Sequence, residues 1–278
     1  MKRACVIGWP VAHSRSPLIH GYWLKRYGIE GAYERVPVAP ENIAAFLSDF
    51  PAQGFVGANV TVPHKEAALA AAAHADDIAR GIGAANTLWL EGGAVHASNT
   101  DSYGFLRNLD DLVPGWALPG GVAVVLGAGG AARSVLRGLL DRGFTDIRLV
   151  NRTKERADEL ARFFGPLVHA IAWENRGKAL DDAALLVNTT TLGMDGMPDL
   201  DIDLDGLPEN AVVTDVIYVP LETPLLRRAR ERGLRAADGL GMLLHQAVPG
   251  FEKWFGVRPE VTAELRAVIL RDIAGKEP

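Results

Sequence analysis

Three stretches of this chain hold residues whose types and spacing could do chemistry. The most telling is Val122-Ala-Val-Val-Leu126, which runs straight into Gly127-Ala-Gly-Gly130 and then into apolar residues at Val135, Leu136, Leu139 and Leu140. A continuous apolar run reads as a buried parallel strand, and the recurrence after it reads as a helix. With a second strand ending at Asn151-Arg152-Thr153, the stretch is a βαβ unit carrying a dinucleotide fingerprint. Gly127 permits the tight turn, Gly129 lets the backbone approach a pyrophosphate, and Ala132 packs helix on strand. The helix N-terminus offers unpaired N–H groups to the anion. A fold that prefers NAD presents an acid near the end of the second strand to hold the ribose 2′-hydroxyl. Here Arg152 stands instead, with Arg156 four residues on, and two guanidiniums suit a 2′-phosphate. The stretch therefore predicts NADP (NADPH/NADP+).

The second stretch is the loop Gly8-Trp-Pro-Val-Ala-His-Ser-Arg-Ser-Pro17, where the hydroxyls of Ser14 and Ser16 flank Arg15 and could hold a polyhydroxy ligand. Ser16 before Pro17 also has the pattern of a helix N-cap, its favoured role taken alone, whereas Ser14 has no such duty. The third is Asn59-Val-Thr-Val-Pro-His-Lys65, at the carboxyl end of a strand over residues 55–60. Ligands of open α/β sheets collect beyond such ends. Asn59 and Thr61 alternate around Val60 and so point to one side. A lysine early in a helix is opposed by the helix dipole, yet a plain surface lysine is the favoured reading of Lys65 in isolation. Asp101 opens a helix to about residue 112, and an N-cap is the simplest reading of it.

The elements needed to position these groups can be traced along the chain. Strands are expected over residues 4–7, 32–36, 55–60, 86–90, 95–99, 122–126, 185–188 and 212–216, with Gly92-Gly93 as a hairpin turn. Helices are expected from Ser16 to Gly28, over 41–50, after Lys65 to about His74, over 224–232, through Met242 to Trp254, and over 260–273. The implied class is α/β and two-lobed, with the C-terminal helices returning to the first lobe. At 278 residues the chain suggests two domains, or one large one, at about 150 residues per domain. Its 48% hydrophobic content allows a sizeable core, and the net charge of −5 with scattered basic residues argues against a nucleic-acid surface. Arg227, Arg228, Arg230 and Arg232 read as a solvated face. The single cysteine, Cys5, excludes an internal disulfide, and no run reaches membrane-spanning length. A cytoplasmic protein is expected. The seven histidines show no ligand spacing, so no metal is expected, and His13 and His64 read as packing groups.

Eight motifs in order resemble the shikimate dehydrogenase family over nearly the whole chain. They are Gly8 to Pro17, Asn59 to Lys65, Gly83-Ala-Ala-Asn86-Thr, Asn99-Thr-Asp101, Gly127-Ala-Gly-Gly-Ala131, Asn151-Arg-Thr153, Asp215-Val-Ile-Tyr218-Val-Pro and Asp238-Gly-Leu-Gly-Met-Leu-Leu-His-Gln246. The resemblance implies an N-terminal open α/β substrate-binding domain over 1–101 and 241–278, and a Rossmann-type NADP-binding domain over 102–240. It implies reversible NADPH-dependent reduction of 3-dehydroshikimate to shikimate, in the chorismate route to aromatic amino acids. Ser14, Ser16, Thr61, Asn86, Tyr218 and Gln246 would hold the substrate, and Lys65 and Asp101 would be the catalytic pair, also in contact with it. Cofactor contacts would fall on Asp77, Gly127, Ala128, Gly129, Gly130, Ala131, Asn151, Arg152, Thr153, Lys154, Arg156, Val216 and Gly239. The partners would be small molecules only, with no nucleic acid or membrane, and the chain a monomer or homodimer. Departures from the family pattern at Gly21, Ala85, Ser102-Tyr103 and Thr190-Thr191 remove none of these polar groups.

The pair makes physical sense. Reducing a ketone needs a hydride on carbon and a proton on the developing alkoxide, and a lysine can donate that proton or, when neutral, remove it in reverse. A free lysine titrates at about 10.4, so work near neutrality asks for desolvation or a neighbouring cation. Asp101 pulls the other way, which suits an orienting group that also binds a substrate hydroxyl. Which of the two carries the transferred proton stays open. The rivals are an NAD-using quinate/shikimate dehydrogenase, against which Arg152 argues, and a silent NADP or shikimate sensor, against which Lys65 and Asp101 argue.

Overall fold

Near-continuous apolar runs become central strands of two six-stranded sheets in the computed structural model, which describes residues 1–275. The last three residues of the expected 241–278 segment, 276–278, lie outside the described residues. The chain divides into two units, one made of Met1–Thr100 together with the described residues from Leu244 onward, the other Asp101–Leu243.

The first unit runs β1 (Lys2–Gly8), α1 (Ser16–Arg26), β2 (Gly31–Pro37), α2 (Ile43–Asp49), β3 (Gly57–Val60), α3 (Lys65–Ala71), β4 (His74–Ala75), α4 (Asp77–Ile82), β5 (Thr87–Glu91) and β6 (Ala94–Ser98). Its sheet has the order β2-β1-β3-β5-β6-β4, parallel except for β5, which is antiparallel to both neighbours. The carboxyl ends of β1, β3, β6 and β4 therefore share one edge. Cys5, Ile7, Ala58, Val60, Leu88 and Ala97 form the core under it, and burial pushes the Cys5 thiol up, leaving it inert.

The second unit runs α5 (Asp101–Leu112), β7 (Val122–Leu126), α6 (Gly130–Asp141), β8 (Asp146–Asn151), α7 (Lys154–Phe164), β9 (Val168–Ala172), β10 (Ala183–Asn188), β11 (Val212–Asp215), α8 (Pro224–Glu231) and β12 (Arg235–Ala237). Its sheet is wholly parallel in the order β12-β11-β10-β7-β8-β9, with apolar clusters on both faces, as a buried parallel sheet requires. α9 (Leu240–Phe255) starts in this unit and continues into the first, where α10 (Ala263–Ile273) follows. Trp254 of α9 donates to the Leu88 carbonyl at 2.9 Å and is seated over Gly57, where any Cβ would collide with the indole.

Several expectations change. Ser16 is not an N-cap: it lies inside α1, the cap position is Arg15, and no side chain caps. The helix expected over 41–50 is α2 between two 3-10 turns, Pro40–Asn42 and Phe50–Ala52, each set by a proline. The alanine-rich helix stops at Ala71, and His74 belongs to β4, which pairs with His96 and Ala97. Two edge strands, β9 and β12, were not foreseen; both are short or half-exposed and lack a clean apolar run. The last helix begins at Ala263 because the Thr262 hydroxyl caps it through the Leu265 N–H. The arginines of α8 are not a simple solvated face. Arg228 donates to the Leu200 carbonyl, and Arg232 binds the carbonyls of Leu204, Asp205 and Leu207, strapping that loop to the helix.

Candidate active site

In the first unit the polar candidates gather at the shared sheet edge because register puts them there. β1 delivers the serine loop, and Ile7 pairs with Val60 at the end of β3. Ser14 does have a structural duty: its hydroxyl accepts the Ser16 N–H at 3.3 Å and lies 3.3 Å from the Ser16 hydroxyl. Arg35 clamps the loop from below, donating twice to the Ser14 carbonyl at 2.9 and 2.6 Å. Two hydroxyls are thereby held side by side, the arrangement that can share a hydroxylated or anionic ligand.

Thr61 continues β3 by one backbone bond to Ile7 (2.9 Å), and Lys65 follows as the first residue of α3. The Lys65 carbonyl accepts the Ala85 N–H at 2.9 Å, and Val60 N–H donates to the Asn86 carbonyl at 2.8 Å, which brings Lys65 and Asn86 to neighbouring ends. Asn86 is buried, and its Oδ1 accepts the Thr100 N–H (2.8 Å), the Thr87 hydroxyl (2.9 Å) and the Thr100 hydroxyl (3.1 Å). The Thr100 hydroxyl also reaches the Gln246 carbonyl at 2.8 Å, so Gln246 joins the same group. Asn59 is turned into this network rather than toward a ligand. It accepts the Tyr33 hydroxyl at 2.6 Å and donates to the Asn86 carbonyl and the Thr87 hydroxyl at 3.3 Å each. Thr87, Thr100 and Tyr33 were not singled out from sequence, although Thr100 sits inside the Asn99-Thr-Asp101 motif. Asp77 stands at the outermost strand's end, its side chain 94% exposed and paired with Arg80 at 2.8 Å. His64 is buried with Nε2 2.7 Å from the Val38 carbonyl, a packing role. Among the described residues no group of three or more His, Cys, Asp or Glu could hold a metal ion.

The second unit holds the rest. Asp101, buried, is the first residue of α5, where the helix dipole suits an acid. Gly127 has φ +100°, and an added Cβ would lie 2.7 Å from the Thr189 hydroxyl, so only glycine makes this turn. Gly129 and Gly130 face open space, where an added Cβ would meet nothing within 4 Å. α6 starts there with no side-chain cap and no acid in its first turn. That bare helix start with room above it fits a pyrophosphate. Asn151 braces the turn: its Oδ1 accepts the Ala128 N–H at 3.2 Å and its Nδ2 donates to the Thr153 carbonyl at 2.7 Å. Lys154 is engaged by Asp158 at 2.6 Å, whereas Arg152 and Arg156 are exposed and have no ion-pair partner among the described residues. Two exposed cations stand beyond the β8 end, with Glu155 the one acid in the first turn of α7, and a pair of guanidiniums suits a 2′-phosphate. Gly239 packs so tightly on the Val216 backbone that a Cβ would collide with it, which joins Val216 and Gly239; half-buried Tyr218 follows two residues later.

Known proteins share this arrangement. A family model described as the shikimate dehydrogenase substrate binding domain matches residues 6–88. One described as shikimate / quinate 5-dehydrogenase matches 117–192, and a shikimate 5′-dehydrogenase C-terminal domain matches 239–269. The NADP(+) shikimate dehydrogenase of Azorhizobium caulinodans is 58% identical over 99% of this chain and 98% of its own. Among solved structures, the Thermus thermophilus shikimate 5-dehydrogenase in complex with NADP(H) and shikimate is 37% identical with TM-score 0.85, covering 97% of this chain and 99% of that one. A Corynebacterium glutamicum quinate dehydrogenase in complex with NAD is 28% identical with TM-score 0.89, covering 97% and 98%. With a relative 58% identical along nearly its whole length, this chain belongs to the shikimate dehydrogenase family.

Proposed function

We propose that this chain catalyses the reversible NADPH-dependent reduction of 3-dehydroshikimate to shikimate, a CH–OH oxidoreduction. The observation that carries the reading is the gathering of Ser14, Ser16, Thr61, Lys65, Asn86 and Gln246 at one sheet edge of the first unit. When bound, the dinucleotide supplies the hydride. The residues do the rest. Ser14 and Ser16, held as a pair, bind the substrate carboxylate; Thr61, Asn86, Tyr218 and Gln246 fix its hydroxyls. The Lys65 ammonium protonates the developing alkoxide, and its neutral amine removes that proton in reverse. Asp101 orients a substrate hydroxyl. Gly127 to Ala131 cradle the pyrophosphate, Asn151 holds that turn, Arg152 and Arg156 with Thr153 and Lys154 take the 2′-phosphate end, and Asp77, Val216 and Gly239 complete the cofactor contacts. The substrate-binding domain is 1–101 with 241–278, and the NADP-binding domain is 102–240.

Its partners are small molecules, and it works in the cytoplasm as a monomer or homodimer without nucleic acid. The modest negative charge and the buried, inert lone thiol support this. No described helix is long and apolar enough to cross a membrane. A quinate/shikimate dehydrogenase with relaxed cofactor choice is the alternative, and the unpaired Arg152 and Arg156 speak for NADP. Lys65→Ala tests the chemistry. Turnover should fall by at least about a hundred-fold, the scale of general acid–base catalysis, while NADP+ binding holds. Retained turnover would remove Lys65 from the mechanism.

A further inference from the structure

Asp215 ends β11 fully buried, and no cation is paired with it among the described residues. An uncompensated buried carboxylate is costly unless donors surround it. Here they do. Its Oδ1 accepts Asn188 Nδ2 at 3.1 Å and the Ile217 N–H at 3.0 Å, and its Oδ2 accepts Asn188 Nδ2 at 3.1 Å and the Thr223 hydroxyl at 2.9 Å.

The donors bracket two loops. Asn188 ends β10 directly beside Asp215 in the sheet. Its own Oδ1 accepts the Thr190 N–H (3.0 Å) and hydroxyl (2.8 Å), and its Nδ2 reaches the Leu192 carbonyl at 3.1 Å. Thr189, between them, donates to the Leu126 carbonyl at 2.7 Å and closes over Gly127. The loop that floors the dinucleotide turn is thus set through Asn188. Ile217 N–H fixes the chain just before Tyr218 and beside the Val216–Gly239 contact. Thr223 closes the far end of that loop, since its hydroxyl also caps α8 by accepting the Leu226 N–H at 3.3 Å. One carboxylate therefore holds both ends of the 216–223 loop and the start of the 189–192 loop. Burial pushes it up to about 6, with the Ile217, Asn188 and Thr223 donors holding it back, so above that pH the site holds an anion engaged by all three.

We propose that Asp215 is a positioning residue that sets the floor of the dinucleotide turn and the Tyr218 loop in register, so that losing it weakens cofactor and substrate binding together. The inference rests on the reading that this turn takes NADP and that Tyr218 meets the substrate. A neutral spacer at this position would not couple the two loops, because an amide would set an N–H against a facing donor.

The experiment is steady-state kinetics of shikimate oxidation by NADP+ for wild type, Asp215→Asn, Thr223→Val and Tyr218→Phe, each with a melting curve. Asp215→Asn should raise both KM values roughly ten-fold, the scale of a lost buried charge-assisted bond, with kcat less affected. Thr223→Val should move both in the same direction by less, and Tyr218→Phe should raise the shikimate KM alone. The inference is overturned if Asp215→Asn lowers the melting temperature with both KM values within two-fold of wild type, or raises only one. Should Asp215→Asn not fold, Thr223→Val decides on the same two readouts. An inactive wild type would defeat the functional reading itself, whereas an active wild type with unmoved variants would defeat only this inference.

Discussion

At the scale of single residues, the proposed function assigns to Arg152 and Arg156 the choice between two cofactors that differ by one phosphate. Other arginines of the second unit have assigned work: Arg142 binds Asp110, Arg148 binds Asp146, and Arg137 binds Asp141. Arg152 and Arg156 have no ion-pair partner among the described residues, although Glu155 lies between them in sequence, so both guanidiniums are available to a 2′-phosphate. Exposed pairs of this kind are worth about 1 kcal/mol each, somewhat more when bidentate. Arg152→Gln should accordingly raise the KM for NADPH by roughly five- to ten-fold, in line with one lost charge-assisted contact, and leave the KM for NADH nearly unchanged. Equal loss with both cofactors would assign Arg152 to the shared part of the dinucleotide. These two arginines stand out in sequence because the signal is local, a strand end with a cation where an acid is usual, and the KM comparison decides their role. Thr100, Thr87 and Asn59 were not legible as a network. Their bonds join positions far apart in sequence, and only strand register brings Thr87 opposite Asn59. Ser16 shows the converse error, a local pattern that fits a cap, whereas Ser16 is the first residue of α1 and its N–H donates to the Ser14 hydroxyl.

At the scale of elements, α1, β2 and α9 meet in an aromatic cluster around His20. The imidazole stacks on Tyr33 with centroids 4.0 Å apart and lies near Trp23, Phe251 and Trp254. It is fully buried, and neither ring nitrogen has a hydrogen-bond partner within range. Burial pushes His20 down from 6.5 to about 3, with nearby Asn59 opposing weakly. Because the folded pKa lies below the unfolded one, the unfolded chain binds the additional proton. Stability is therefore lost as pH falls from 6.5 toward about 3. Asp215 has the opposite sign: raised from 3.8 to about 6, it loses stability as pH rises through that window. His20→Phe keeps an aromatic ring in the cluster and removes only the first contribution. Its melting temperature should fall less than wild type between pH 6.5 and 5, by up to about 1.4 kcal/mol of stability per pH unit. Parallel melting profiles would show that His20 is protonated alike in both states. Central strands were readable because burial on both faces demands an apolar run. Edge strands β9 and β12 were not, since one side of each meets solvent and their pairing is set by neighbours.

At the scale of the whole molecule, each unit solves a different half of one chemical problem. The first builds a mixed sheet whose single antiparallel strand, β5, starts at Thr87 beside the ends of β1 and β3, so that Asn86, Thr61 and the serine loop share an edge. The second builds a wholly parallel sheet, whose β7–α6 junction gives the bare helix start that an anion needs. The α/β class and the order of the two halves followed from the motif order, because each motif names its own strand end. Placing α9 in both units required the fold, since the helical pattern from Leu240 to Phe255 is unbroken across the division. The central claim is that this chain reduces 3-dehydroshikimate with NADPH, and absorbance at the NADPH band tests it most directly. Purified protein should consume NADPH with 3-dehydroshikimate and regenerate it from shikimate and NADP+. It should prefer NADPH to NADH by at least about ten-fold in kcat/KM, the worth of one charge-assisted contact. No turnover with 3-dehydroshikimate, or faster turnover with quinate and NAD than with shikimate and NADP+, would contradict the account.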